Sequence, residues 1–163
     1  MLNNVNFRWG NSVWFLLSIG VVIADRISKI WAVKHLHWGE PMQVFPFLNF
    51  HLAFNTGAAY SFLHHASGWQ NLFFIALAGV VSLWIIYSIL TEKKSSTGLL
   101  KAGFALVLGG AVSNAWDRFQ YQAVIDFINP HWGGWYFAIF NVADSAITLG
   151  AICLIWHWWF EKE

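Results

Sequence analysis

The sequence predicts an all-α polytopic membrane protein, four transmembrane helices with a small extracytoplasmic β-sheet. Three observations carry that expectation. Of 163 residues, 58% are hydrophobic and only 10% are charged, far from the balance of soluble domains. Apolar runs approaching the roughly 20 residues that cross a bilayer core as helix recur along the chain. One connection between them alternates apolar and polar residues with the period of a strand. At this length a single domain spanning residues 1–163 is expected, and a net charge of +1 supplies no basic surface suited to nucleic acid.

The first span covers about residues 13–31 and is interrupted by Asp25, Arg26 and Lys29. A removable signal peptide ending at Val22-Ile23-Ala24 is the poorer reading, because Asp25 and Lys29 at i, i+4 continue the helix past that point. In the connection that follows, Leu48, Phe50, Leu52 and Phe54 alternate with Asn49, His51, Ala53 and Asn55, predicting a strand with one apolar face; Asn55-Thr56-Gly57 then reads as a turn. The second span, about 69–90, contains no charge. The third, about 99–116, carries Lys101 at its start and Gly103, Gly109 and Gly110 within it, a pattern for close helix packing. Gly133-Gly134 between Trp132 and Trp135 is a turn at the membrane interface, and the fourth span, about 136–160, holds Asp144. Arg8, Lys93, Lys94, Lys101 and Lys162 against Arg26, Lys29, Lys34 and Arg118 place both termini in the cytoplasm by five basic residues to four.

No metal or organic cofactor is expected. His35 with His37 and His64 with His65 lack the spacing of a zinc site, and the lone Cys153 sits in an apolar run as a packing residue. No internal repeat or low-complexity tract points to a second domain.

The aspartates carry the chemical signal. Asp25, Asp117, Asp126 and Asp144 all fall near the outer ends of spans in this topology. With the fourth span beginning near Tyr136, Asp144 lies about two turns in, roughly 12 Å along the axis, where a charge must be paired, watered or neutralised. Asn141 and Thr148 share its face. Gly110, Asn114 and Arg118 follow one another at spacings of four in the third span, and Arg118 suits a carbonyl or a carboxylate. Asp126, a loop residue in this reading, sits in the apolar setting "AVIDFINP" before the fourth span. Two carboxyls brought within a few ångströms share a proton, one activating water and the other protonating a carbonyl. The residues alone leave four readings open: an aspartate-dyad hydrolase, a protonated aspartate that only joins helices, a small proton- or cation-coupled membrane transporter, and a noncatalytic assembly protein.

Five blocks in order resemble the lipoprotein signal peptidases (signal peptidase II) of bacteria: Asp25-Arg26-Ile27-Ser28-Lys29; Asn55-Thr56-Gly57-Ala58-Ala59; Gly109-Gly110-Ala111 through Asn114 to Asp117-Arg118; Val124-Ile125-Asp126-Phe127; and Phe140-Asn141-Val142-Ala143-Asp144. Tyr60 stands after the second block where Phe is more usual. The resemblance implies an intramembrane aspartic endopeptidase with Asp126 and Asp144 as the catalytic pair and with no cofactor. It implies a substrate site lined by Asn55, Gly57, Asn114, Arg118 and Asn141, supported by Asp25, Lys29 and Asp117. The substrate would be a diacylglyceryl-modified prolipoprotein, cut just before the lipidated cysteine by a monomer in the bacterial inner membrane. Membrane lipid would take part in recognition and the active site would lie near the outer face. From its position alone, the aromatic outer segment with Phe54 and Tyr60 is expected to close over substrate as a lid.

Overall fold

The computed structural model describes residues 8–57, 69–92 and 97–160. A short 3-10 helix, Trp9–Trp14, leads into α1 (Phe15–His35). Then come β1 (Met42–Phe45), β2 (Leu48–Asn55), α2 (Trp69–Thr91), α3 (Gly98–Tyr121), β3 (Val124–Trp132), β4 (Trp135–Tyr136) and α4 (Val142–Phe160). Among the described residues, four α-helices and a four-stranded antiparallel sheet in the order β1-β2-β3-β4 make up the architecture. Ala58 and Ala59, Tyr60 of the expected lid, His64, His65, Lys93, Lys94 and Lys162 lie outside the described residues.

Among the described residues, α2, α3 and α4 are long and apolar enough to cross a membrane. α1 has comparable length but carries Asp25, Arg26, Lys29 and Lys34. Leu16, Ile19, Ile23, Ile27 and Ile30 form an exposed apolar stripe, whereas Asp25 and Lys29 are fully buried, Arg26 is partly buried, and Lys34 is exposed in the last turn.

Helix α3 is central because its glycines let two neighbours approach. A Cβ on Gly109 would stand 2.7 Å from the Ser18 carbonyl oxygen in α1, and one on Gly110 would stand 2.4 Å from the Ala143 carbonyl oxygen in α4. The expected close packing is therefore present on two sides of one helix. Apolar contacts among Ile85, Ile89, Leu100, Phe104 and Leu108 join α2 to α3. A second cluster, Ala32, Leu36, Leu52, Ile125 and Phe127, seats the sheet on the end of α1.

The expected strand over 48–55 is β2, and Asn55 Oδ1 accepts the Gly57 N–H at 3.0 Å, closing the expected turn. Its alternation is interrupted by a register shift between Phe50 and Ala53. Asn49, ahead of the shift, is buried, and Phe54, after it, is exposed, so the apolar face holds only through Phe50 and Leu52.

Two expectations require correction. "AVIDFINP" is not a loop: β3 pairs with β2, placing Asp126 opposite Ala53. The fourth helix starts at Val142 rather than near Tyr136, because Trp135 and Tyr136 pair with Trp132 and His131, and Phe140 exchanges backbone hydrogen bonds with Ile128. The chain between the two glycines and Asn141 thus satisfies its backbone against β3 instead of in a helix. Gly133 and Gly134 both have positive φ (55° and 88°), the conformation a two-residue hairpin turn needs.

Candidate functional site

Asp126 comes from the sheet and Asp144 from a helix, and the late start of α4 brings them to one place. Asp144 lies in the first turn of α4. Asn141 immediately precedes the helix, and its side-chain oxygen accepts the Asp144 N–H at 2.8 Å while an Asp144 carboxyl oxygen accepts the Asn141 N–H at 3.3 Å. This reciprocal pair is a capping box in which the acid three residues into the helix is Asp144 itself.

Asn141 also joins the two acids. Its amide nitrogen donates to Asp126 Oδ1 at 2.6 Å and lies 3.3 Å from both the Ile125 carbonyl and Asn114 Oδ1. Asn55 donates to the second Asp126 oxygen at 3.1 Å, and Asn114 donates to Asp144 Oδ1 at 2.7 Å. Each carboxyl therefore receives two N–H donors, all from asparagine.

The site opens on a cavity of about 830 Å³. Asn55, Asn114, Arg118, Asp126 and Asp144 supply its polar groups, with Ser145 and Thr148 farther along α4. Pro130, Phe137, Ile139, Phe140, Ile147 and Leu149 form much of the remaining wall. Their apolar character was not singled out in the sequence because such residues are common throughout this chain.

Burial raises the Asp126 pKa from 3.8 to about 7, and the nearby Asp144 charge pushes in the same direction. Hydrogen bonds from Asn55 and Asn141 and the charge of Lys29 oppose that rise. Asp126 is only 2% exposed, so desolvation as the leading cause is physically reasonable.

Among the described residues Arg118 does not pair with a carboxylate. Its Nη2 donates to the Gly57 carbonyl at 3.0 Å, its guanidinium stacks over Phe74 at 4.8 Å, and its buried Nε has no partner among the described residues. Gly57 thus holds Arg118 in place and does not itself line the cavity.

Asp25, Lys29 and Asp117 form a buried ion-pair cluster behind the site. Lys29 Nζ lies 2.6 Å from Asp25 and 2.7 Å from Asp117, and Arg26 pairs with the other oxygen of Asp117. Asp25 also accepts from the Ser113 hydroxyl at 2.6 Å. Reasoning from sequence passed over Ser113 and the pairing of Arg26. Ser113 lies four residues before Asp117 on the same helical face, a spacing that would have found it. No group of three or more potential ligands that would hold a metal occurs among the described residues.

A family described as "Signal peptidase (SPase) II" matches residues 17–160. A "Lipoprotein signal peptidase" of Dichelobacter nodosus (strain VCS1703A) is 46% identical over 144 residues, covering 88% of this chain and 92% of the relative. One from Coxiella burnetii (strain RSA 331 / Henzerling II) is 44% identical, covering 88% of each chain. The fold is similar to a bacterial membrane enzyme solved by the in meso method at 2.3 Å resolution, with a TM-score of 0.81, 28% identity, and coverage of 97% of this chain and 94% of that one.

Proposed function

The chain belongs to the signal peptidase II family, and from that premise we propose that it is an aspartic endopeptidase that removes signal peptides from bacterial prolipoproteins. The observation that carries the mechanism is the meeting of Asp126 and Asp144 in one cavity, joined through Asn141. The rival reading as an ion-coupled transporter finds no support in this family membership.

The division of labour follows from the surroundings of each acid. Asp126, with its pKa near 7, is the proton donor. Asp144, in the first turn of α4 where the helix dipole favours the ionised form, is the base. Water held between them attacks the scissile carbonyl and gives its proton to Asp144 while Asp126 protonates the carbonyl oxygen. When the resulting gem-diol collapses, its C–N bond breaks, the leaving nitrogen takes a proton from Asp144, and a hydroxyl proton returns to Asp126. The products are the carboxyl end of the signal peptide and the free amine of the following residue.

Arg118, whose Nε has no partner among the described residues, lies beside the cavity and is suited to fixing a substrate carbonyl. Asn55 and Asn114 are fixed by the carboxyls they contact and would orient the peptide together with Asn141. The apolar wall of the cavity suits a lipid-modified substrate, with a diacylglyceryl cysteine following the scissile bond and its two acyl chains remaining in the bilayer.

We place all four helices across the bacterial inner membrane. For α1 the support is its exposed stripe from Leu16 to Ile30, which faces lipid while Asp25 and Lys29 turn inward and Lys34 stands in the last turn, at the membrane surface. Both termini then lie in the cytoplasm and the sheet and site near the periplasmic face. A monomer suffices for this chemistry because both carboxyls come from one chain.

The test is a gel-shift assay of a diacylglyceryl-modified prolipoprotein with wild type, Asp126→Asn and Asp144→Asn, each checked for folding. Cleavage by wild type and its loss in both variants is the expected result. If the wild type fails to cleave, the peptidase assignment is wrong; cleavage by either variant at the wild-type rate removes that aspartate from the mechanism.

A further inference from the structure

Lys29 is fully buried, and its ammonium has three hydrogens and three acceptors: Asp25 Oδ2 at 2.6 Å, Asp117 Oδ2 at 2.7 Å and Asn114 Oδ1 at 3.1 Å. Neither it nor the two aspartates lines the cavity. Stability alone does not explain such a cluster, since a buried ion-pair network is often no more stabilising than well-packed apolar side chains of the same volume. What distinguishes this one is where each acceptor leads.

The second oxygen of Asp25 accepts the N–H of Ala143 at 2.9 Å, and Ala143 is the residue before Asp144. Asp117 Oδ2 accepts the N–H of Ile125 at 3.3 Å, and Ile125 is the residue before Asp126. Asn114, the third acceptor, donates its own amide to Asp144. An ammonium donates only, so it requires the oxygen of the Asn114 side chain and leaves the NH2 group for Asp144. Without Lys29 the orientation of this amide is left to the longer 3.3 Å contact from the Asn141 amide nitrogen and to Asp144 itself.

We infer that Lys29 is a positioning residue for both reacting carboxyls, setting Ala143 through Asp25, Ile125 through Asp117, and the amide of Asn114 against Asp144. The inference rests on the reading of Asp126 and Asp144 as the reacting pair. It makes one side chain of α1 the common reference for a base carried by a helix and an acid carried by a strand.

The same ammonium acts on Asp126 by charge. Asp126 is faced by Asp144 of α4, Lys29 of α1, Asn55 of β2, Arg118 of α3, and Asn141 ahead of α4. Of these influences, the hydrogen bonds from Asn55 and Asn141 and, after them, the Lys29 charge favour loss of the Asp126 proton. Removing that charge holds the proton more firmly, so the alkaline side of the pH–rate profile, where the acid is lost, moves to higher pH.

The experiment compares steady-state cleavage of a diacylglyceryl prolipopeptide by full-length wild type, Lys29→Met and Asp25→Asn/Lys29→Met in detergent. Lys29→Met alone leaves two buried carboxylates with Arg26 as their remaining partner and is prone to misfolding. The double variant restores charge balance, and its new amide oxygen still accepts from Ala143, so it provides a folded test. For folded protein the expected result is a fall in kcat of about 10²-fold with KM changed by less than about threefold, together with an alkaline shift of the basic limb in Lys29→Met. A folded double variant with wild-type kcat overturns the role of Lys29. A uniform loss of activity in Lys29→Met with the basic limb unmoved overturns its electrostatic part. Asp126→Asn and Asp144→Asn, run alongside, separate the two ideas: if they are inactive while the double variant is normal, the positioning role alone has failed.

Discussion

Replacing Asp126 with asparagine should abolish cleavage and at the same time flatten the dependence of stability on pH. A carboxyl whose folded pKa is raised binds its proton more tightly in the folded chain than in the unfolded one. Its contribution to stability is therefore fully present below the unfolded value of 3.8 and is lost as pH rises through about 7. Between pH 5 and pH 7 the unfolded chain has already released this proton and the folded chain largely retains it, a difference on the order of 3 kcal/mol. Asp126→Asn removes the titration. It also sets the new NH2 group against one of the two donors, Asn55 or Asn141, at a cost of about 1–3 kcal/mol that does not vary with pH. The variant should thus be no more stable than wild type at pH 5 and gain on it steadily towards pH 8. Reversible unfolding in mixed micelles with increasing sodium dodecyl sulfate, followed by far-UV circular dichroism, reads this directly. Parallel stability curves for the two proteins between pH 5 and pH 8 would show that Asp126 does not titrate there, and its assignment as the acid would fall.

Two further substitutions test the scaffold. Gly110→Ala puts a methyl group where the Ala143 carbonyl oxygen lies 2.4 Å away and Ile147 Cγ1 lies 2.6 Å away, so α4 must move off α3 at a cost of about 1–3 kcal/mol. Because Ala143 precedes Asp144, cleavage should fall with stability; a variant with a lowered melting temperature and full kcat would separate helix packing from alignment of the base. Asn141→Ala removes the cap of α4, worth about 0.5–2 kcal/mol, and the bridge between the acids. Its kcat should drop well beyond what lost folding explains, and normal turnover per folded molecule would show that the bridge is dispensable.

How much of this was legible depended on whether the signal lay in one residue or in a pairing. Asp144 stood out because a charge in an apolar run has few bland explanations, and the glycines of α3 announced close packing. The Asp25 and Lys29 pair followed from helical spacing alone. Asp126 was recognisable as an uneasy acid, but its strand was not, because β3 exists through pairing with β2, which lies some seventy residues earlier in the sequence. The start of α4 was misjudged for the same reason: Trp135 to Phe140 are apolar enough to continue a span, and only the backbone of β3 diverts them. The links from Asp25 to Ala143 and from Asp117 to Ile125 end on backbone N–H groups, which no side-chain pattern reports.

That diversion has a mechanistic consequence. Had the helix begun near Tyr136, Asp144 would sit two turns inside it, with its backbone N–H committed to the helix ladder. By starting at Val142, the chain places Asp144 in the first turn, where the free N–H groups of the helix end are available to acids and asparagines. Asp25 takes one of those N–H groups at Ala143, and Asn141 takes another at Asp144. The extended approach from Phe137 to Phe140 meanwhile keeps the chain hydrogen-bonded to β3, the strand that carries Asp126. The hairpin that delays the helix is therefore also the tether that fixes the distance from strand to helix. A site assembled across two kinds of element needs such a tether, since a shift of the sheet relative to the bundle would separate acid from base without unfolding either.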